Sequence, residues 1–278
     1  MMRFNIARRA FSSTSVAPSH SRVAIVGAGC GGQSLLAQLA RTGKVKPEEI
    51  TVFDPAQEHH YQPAYTMVAG GVLGSASATK TQEGKYVVRP QQEVLSNTPG
   101  VRWVQQAVTT FDPENNTIAL ADGSKTTYDI LVVNPGLQLR YDLIDGAQEA
   151  LDDPDTPVGS MYRLEGAYKT SVMRESFRGG NALFTCPPFP IKCGGAPQKI
   201  LYLCEAAWRE SGVRDSTSIK YFAAPPVMFP PNDDFNEALN NECLSKGIEQ
   251  NFGMNLTAID KDRRVATFKS TKTEELVE

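Results

Sequence analysis

Histidine is scarce in this chain: His20, His59 and His60 are the only three in 278 residues, too few for a histidine-built metal centre. The five cysteines, Cys30, Cys186, Cys193, Cys204 and Cys243, contain no C-x-x-C pair, which argues against a structural zinc site and leaves no metal ligand set to name. Their odd number and uneven spacing also exclude a secreted disulfide framework. No apolar run of about eighteen residues occurs, so no segment is expected to span a membrane as a helix. Positive charge is not in excess either. Lys+Arg 28 against Asp+Glu 31 leaves a net charge of −3, with no bulk attraction to nucleic acid. What remains, 41% hydrophobic and 21% charged, is the make-up of a folded protein with room for one large domain or two of ordinary size.

Acidic residues are missing from the first 22 positions, MMRFNIARRAFSSTSVAPSHSR, where Arg3, Arg8, Arg9 and Arg22 stand among several serines. Arg-rich, Ser-rich and acid-free is the composition of a mitochondrial transit peptide, and Phe4, Ile6, Ala7 and Phe11 add an apolar component for an amphipathic helix. Residues 1–21 are therefore read as a targeting segment outside the fold.

The folded part is expected to open with a strand over 23–26, a β-branched apolar run suited to a buried parallel sheet. Gly27-Ala28-Gly29-Cys30-Gly31-Gly32 then satisfies G-x-G-x-x-G, a helix-like stretch follows over 33–41, and a second strand over 50–53 ends at Asp54. In this pattern Gly27 allows the tight turn, Gly29 lets backbone approach a pyrophosphate, and Gly32 permits close packing of helix on strand. The helix N-terminus favours the phosphate charge, and Asp54 is placed to accept hydrogen bonds from a ribose diol. Strand before, helix after and acid beyond form the context that makes the motif a dinucleotide site.

Further on, 101–108 is strand-like, and Asp122-Gly123 marks a hairpin turn between strands at 117–120 and 126–133. The run 130–133 ending at Asn134-Pro135-Gly136 resembles the second fingerprint of flavoproteins with two dinucleotide-binding domains, with Gly136 kept and Asn134-Pro135 in place of the usual pair. That resemblance favours FAD over NAD at the first site.

The second half repeats the strand–helix–strand order at 182–185, 196–210 and 219–223, with a further strand at 265–269. Its first connection holds Pro187, Pro188, Pro190 and Pro197 and no glycine fingerprint; proline has no N–H to offer a pyrophosphate. Cys193 precedes the helix, where the dipole, Lys192 and Lys199 favour a thiolate able to act as nucleophile or redox sulfur; a buried structural cysteine is the alternative. Cys186 is a possible sulfur partner, whereas Cys204 and Cys243 read as packing residues. His59 and His60 read as loop hydrogen-bonders or as proton relays.

The segment Ile191-Lys192-Cys193-Gly194-Gly195-Ala196-Pro197-Gln198-Lys199-Ile200, with Glu58-His59-His60-Tyr61-Gln62-Pro63, resembles the mitochondrial type of sulfide:quinone oxidoreductase, and the likeness extends over most of the chain from Arg22. The resemblance implies an α/β flavoprotein with two Rossmann-like dinucleotide-binding domains of the FAD/NAD(P)-linked reductase type. It implies FAD at the first fingerprint, with Cys30 and Gly31 at the pyrophosphate, Asp54 at the adenosine ribose, Gln62 at the flavin region and the backbone of Val108 at the adenine. Cys193 would be one of two redox cysteines that take up hydrogen sulfide as a persulfide. Two electrons would pass to ubiquinone and the sulfur to a thiol or sulfite. Relatives are longer, so the second redox cysteine, the quinone site and an inner-membrane-associating C-terminal part are expected to be absent here. The expected division is a targeting segment at 1–21, the first part of an FAD domain at 22–145, and an incomplete second Rossmann-like domain at 146–278. Two rival readings are a type II NADH:quinone oxidoreductase, opposed by the missing second fingerprint, and a non-catalytic FAD-fold fragment.

Overall fold

The computed structural model describes residues 17–73, 87–230 and 232–278, together with the backbone of a short strand, β1 (Ser13–Thr14). The chain divides into two compact units, Met1–Tyr61 with Gly84–Leu137, and Gln62–Glu83 with Gln138–Glu278. The rest of the predicted targeting segment lies outside the described residues.

In the first unit, β2 (His20–Val26) is continuously buried over its last four residues, as a parallel strand covered on both faces should be. The strand reaches back to His20, inside the stretch read as targeting segment. Gly27 turns the chain into α1 (Cys30–Thr42), which begins three residues earlier than expected and ends at Gly43 in the left-handed conformation. β3 (Ile50–Phe53) is wholly buried. A small hairpin pairs β4 (Glu58–His60) antiparallel with β5 (Val88–Pro90), and β5 runs directly into a short helix, α3 (Gln91–Leu95); α2 (Tyr65–Ala69) lies between β4 and β5 in the chain.

Among the described residues the main sheet has seven strands in the order β1-β6-β3-β2-β9-β8-β7, with β6 (Arg102–Val104), β7 (Val108–Asp112), β8 (Thr117–Leu120) and β9 (Lys125–Val133). Pairings from β1 to β9 are parallel and the last two antiparallel, so the sheet is the α/β type expected from the sequence. The alternation of a strand builds two cores. Val23, Ile25, Val52 and Trp103 pack with Leu36 and Leu95, while Ala24, Phe53 and Val104 pack with Ile118, Leu120 and Tyr128. The β8–β9 hairpin turns at Gly123, φ +84°, where the Asp-Gly pair predicts it. Beyond Thr127, β9 pairs only with β2 among the described strands, and Ile130 and Val133 are about half exposed, 52% and 48%.

One expectation is corrected. Residues 101–108 do not form a single strand: β6 ends at Val104, the Gln106 amide turns back onto the Val104 carbonyl at 2.9 Å, and Val108 starts the separate strand β7. β6 pairs beside β3 in the parallel part of the sheet and β7 beside β8 in its antiparallel part, and the short link between them carries no glycine or proline to announce it.

The second unit carries α2 and α4 (Ala147–Asp152), then α5 (Leu164–Ser176), β10 (Gly180–Cys186), α6 (Ala196–Glu210), β11 (Thr217–Ala223), α7 (Asp233–Ser245) and β12 (Ile248–Phe252). Strands β10, β11 and β12 pair in parallel, in that order. The buried side of α6 carries Ile200, Leu201, Cys204 and Trp208, and Trp208 lies against Phe177 and Phe184 with ring centroids 4.5 and 6.1 Å away. β13 (Met254–Asp260), β14 (Val265–Ser270) and β15 (Leu276–Val277) form an antiparallel sheet, so residues 265–269 belong to this second sheet and not to the parallel one. Phe268 stacks on Phe222 at 3.9 Å and joins the two sheets. Among the described residues no helix is long and apolar enough to cross a membrane.

Glu205, on α6, is fully buried and is held by Arg209, by Arg214 at 3.4 Å and by Lys246 at 3.4 Å. Glu205→Ala strands three cations around an empty site and is expected to cost about 3–5 kcal/mol in urea-induced unfolding. Exposed Glu210→Ala should stay within about 0.5 kcal/mol. Equal, small losses in both variants would show that the buried carboxylate is not a structural anchor.

Candidate dinucleotide and thiol sites

Three parallel strands, β2, β3 and β9, end side by side in the first unit, and the turn after β2 is built against the other two. The Gly27 amide donates to the Phe53 carbonyl at 2.9 Å, and the Asn134 amide to the Val26 carbonyl at 2.7 Å. Gly27 has φ +94°, and a Cβ there would stand 2.0 Å from the Asn134 carbonyl oxygen. A Cβ on Gly32 would stand 1.9 Å from the Gly27 carbonyl oxygen, so only glycine lets α1 sit this close to its strand. Gly29 is different: it is the N-cap of α1 in an ordinary extended conformation, with nothing within 4 Å of its would-be Cβ. A Cβ on Gly31 would stand 3.6 Å from the Asn134 side chain, and Cys30 is exposed. The first intrahelical bond runs from the Gln33 amide to the Gly29 carbonyl at 3.0 Å, leaving the amides of the first turn without helical acceptors. The open face at Gly29, the first-turn amides and the helix dipole fit a pyrophosphate.

The Asp54 carboxylate accepts the Ala28 amide at 2.6 Å and the Ala56 amide at 2.8 Å, so the acid predicted for a ribose also fixes the glycine turn. Its backbone is pinned in turn: the Trp103 indole donates to the Asp54 carbonyl at 3.0 Å. Two residues not assigned to this site from the sequence join it. His59 Nδ1 lies 3.2 Å and Gln91 Nε2 3.1 Å from the Ala28 carbonyl oxygen. Because that carbonyl only accepts, His59 carries a proton on Nδ1. Burial pushes its pKa down, which keeps the ring neutral at pH 7. The ring is thus engaged as a loop hydrogen-bonder through Nδ1. No local pattern marks Gln91, 63 residues from Ala28.

Val108 lies in this unit at the start of β7, packed against the cluster of Phe53, Val104 and Ile118. Gly136, φ +80°, follows β9 two residues past Asn134. Gln62 falls in the second unit, exposed at the start of a short 3-10 turn, Gln62–Ala64.

In the second unit the link from β10 to α6 presents Cys193. Gly195 is the N-cap of α6, so Cys193 lies two residues ahead of it, exposed. Its carbonyl accepts the Ala196 amide at 3.2 Å and the Tyr162 hydroxyl at 3.5 Å. Lys192, half buried, donates to the Tyr162 carbonyl at 2.9 Å, and burial lowers its pKa. Lys199 is exposed on the first turn of α6. Phe189 and Phe229 crowd the residue after Cys193: a Cβ on Gly194 would stand 3.4 and 3.5 Å from their rings. Cys186 ends β10 buried, its thiol pushed up by desolvation beside Tyr221. Cys204 is pushed up to about 12 and Cys243 is also raised, both by burial, as packing residues would be. All five cysteines are free thiols.

Residues 21–167 match the pyridine nucleotide-disulphide oxidoreductase family. The chain is 36% identical over 251 residues to a protein of Dictyostelium discoideum named mitochondrial sulfide:quinone oxidoreductase, covering 90% of this chain and 52% of that one. It is 32% identical over 253 residues to the Mus musculus protein of the same name, covering 91% and 53%. The chain thus spans about half the length of the curated relatives it matches. Among solved structures, the sulfide:quinone oxidoreductase of the bacterium Aquifex aeolicus superposes with a TM-score of 0.72 at 18% identity, covering 94% of this chain and 56% of that one. NDH2 of Plasmodium falciparum does so with a TM-score of 0.64 at 13% identity, covering 93% and 52%. These two likenesses are of fold.

The glycines give a contrast to measure. Gly32→Ala is expected to destabilise the apo chain by about 1–3 kcal/mol or more in thermal unfolding, because the new methyl meets backbone. Gly29→Ala should leave stability within about 0.5 kcal/mol while weakening FAD in a fluorescence titration, because the methyl occupies the open face. A Gly29→Ala chain that binds FAD like wild type would contradict a pyrophosphate at this turn.

Proposed function

The chain belongs to the pyridine nucleotide-disulphide oxidoreductase family, and we propose that it serves the oxidation of hydrogen sulfide by a quinone. The observation that carries the reading is the Lys192–Lys199 segment, which presents exposed Cys193 ahead of α6 on a proline-rich link with no phosphate cradle. Relatives matched over 90% of the chain being named sulfide:quinone oxidoreductase supports the same substrates.

In this reading FAD is held by the first unit: Gly27, Gly29, Cys30, Gly31 and Gly32 at the pyrophosphate, Asp54 at the ribose, and Val108 and Gly136 toward its remaining parts. Gln62 is assigned to the flavin region by resemblance. Bound FAD supplies acceptance of two electrons. Cys193 supplies the sulfur chemistry: its exposed sulfur carries the sulfide sulfur as a persulfide, the two electrons of that oxidation passing to bound FAD. With a thiol as acceptor, sulfide and the thiol become a persulfide while one ubiquinone becomes ubiquinol, which balances atoms and electrons; sulfite is the alternative acceptor. Arg3, Arg8 and Arg9, together with relatives named mitochondrial, support a mitochondrial address, and a quinone substrate supports work at the inner-membrane surface.

The chain supplied with FAD under anaerobic conditions is expected to lose flavin absorbance on adding sulfide and to keep it on adding NADH. Cys193→Ala should slow the sulfide response by more than about 100-fold, the scale of losing a nucleophile. Bleaching by NADH but not by sulfide would contradict the reading and favour an NADH:quinone oxidoreductase.

A further inference from the structure

His59 and Gln91 reach the same acceptor from different elements, β4 and α3. Both are buried, 6% and 1% exposed, and between them they occupy both lone pairs of the Ala28 carbonyl oxygen. Asp54 holds the Ala28 amide at 2.6 Å on the other side of the same residue. The two peptide planes that flank Ala28 are thus both fastened by side chains: one through its N–H, the next through its C=O.

The second plane matters most. A trans peptide points its C=O and its N–H in opposite directions. The N–H sharing a plane with the Ala28 carbonyl is that of Gly29, so fixing the carbonyl toward buried His59 and Gln91 turns the Gly29 amide away from them. Gly29 is the N-cap of α1, and its outer side is open. Glycine at position 29 also leaves this plane freer to rotate than a side-chain-bearing residue would, since no Cβ resists other φ values. A plane that would otherwise turn freely is tied down from behind.

We infer that His59, acting with Gln91 through the Ala28 peptide, is a positioning residue that aims the Gly29 amide at the pyrophosphate of a bound dinucleotide. The inference rests on the reading of this turn as an FAD site. His59 touches no part of the ligand in this role. Its contribution is to hold one amide in its binding orientation before the ligand arrives, so that binding does not have to order it.

The test uses three variants of the full chain and two readouts, FAD affinity by fluorescence titration and thermal unfolding of the apo form. Asn places its side-chain amide nitrogen where histidine has Nδ1, and Gln places it near Nε2. His59→Asn should therefore bind FAD within about threefold of wild type, while His59→Gln and His59→Leu should weaken it about tenfold, the size of one hydrogen bond. ADP, which retains the pyrophosphate, should follow the same order. Apo unfolding temperatures of the Asn and Gln variants should be alike, which separates aiming an amide from holding up the fold. If His59→Leu fails to fold, the Asn and Gln pair decides the matter. Equal affinity in these two variants, or affinity that simply tracks apo stability, would overturn the inference. Wild-type chain that takes up neither FAD nor ADP would overturn the FAD reading itself, and the inference with it.

Discussion

Backbone meets backbone where α1 leaves β2, and the first unit depends on that contact. The Gly32 position lies against the Gly27 carbonyl, and the Gly27 position against the Asn134 carbonyl, with no room for a side chain at either. The closeness brings the end of β9 and the first turn of α1 to the same edge of the sheet. Once there, the amide ends of α1 face outward at Gly29, and Asp54, at the end of the next strand, lies within hydrogen-bond reach of Ala28. Burial of the β2 and β3 side chains on both faces keeps these strand ends from shifting. A wider separation of helix and strand would lose the orientation of the turn before it lost the sheet.

Much of this was legible because it is local. Glycines at fixed spacing, a β-branched strand before them and an acid after them describe a site within some thirty residues, and the structure builds the turn accordingly. The Asp122-Gly123 hairpin and the helix at 196–210 were equally plain, since turn chemistry and apolar periodicity act over short distances. The parts that escaped are long-range. Nothing near His59 says that its ring reaches back to Ala28, and buried Gln91, at the start of α3 just beyond the β4–β5 hairpin, meets the same carbonyl across 63 residues. The strand boundary at Val104 was missed because Gln105-Gln106-Ala107 contains no breaker, and the sheet to which residues 265–269 belong is a matter of pairing that strand propensity does not encode.

The second unit repeats the strand–helix–strand order and changes the link. Where the first unit offers glycines, this one offers Pro187, Pro188 and Pro190, which withhold amides and stiffen the path to Cys193. Two cysteines border that link in opposite settings. Cys186 is buried with a raised thiol pKa, and Cys193 is exposed beside Lys192, whose ammonium is held by the Tyr162 carbonyl. Exposure separates the two: Cys193, not Cys186, is open to solvent. The same fold order thus carries a glycine turn in one unit and a thiol-presenting, proline-rich link in the other.

Which sulfur atom sulfide reaches separates the roles of these cysteines. The measurement is peptide-level mass spectrometry of the chain with FAD and a quinone, mixed anaerobically with sulfide and trapped with an alkylating agent. The expected result is one added sulfur atom on the peptide containing Cys193, and none on those containing Cys186, Cys204 or Cys243. An unmodified Cys193 peptide under conditions where sulfide is consumed would contradict sulfur uptake at this residue.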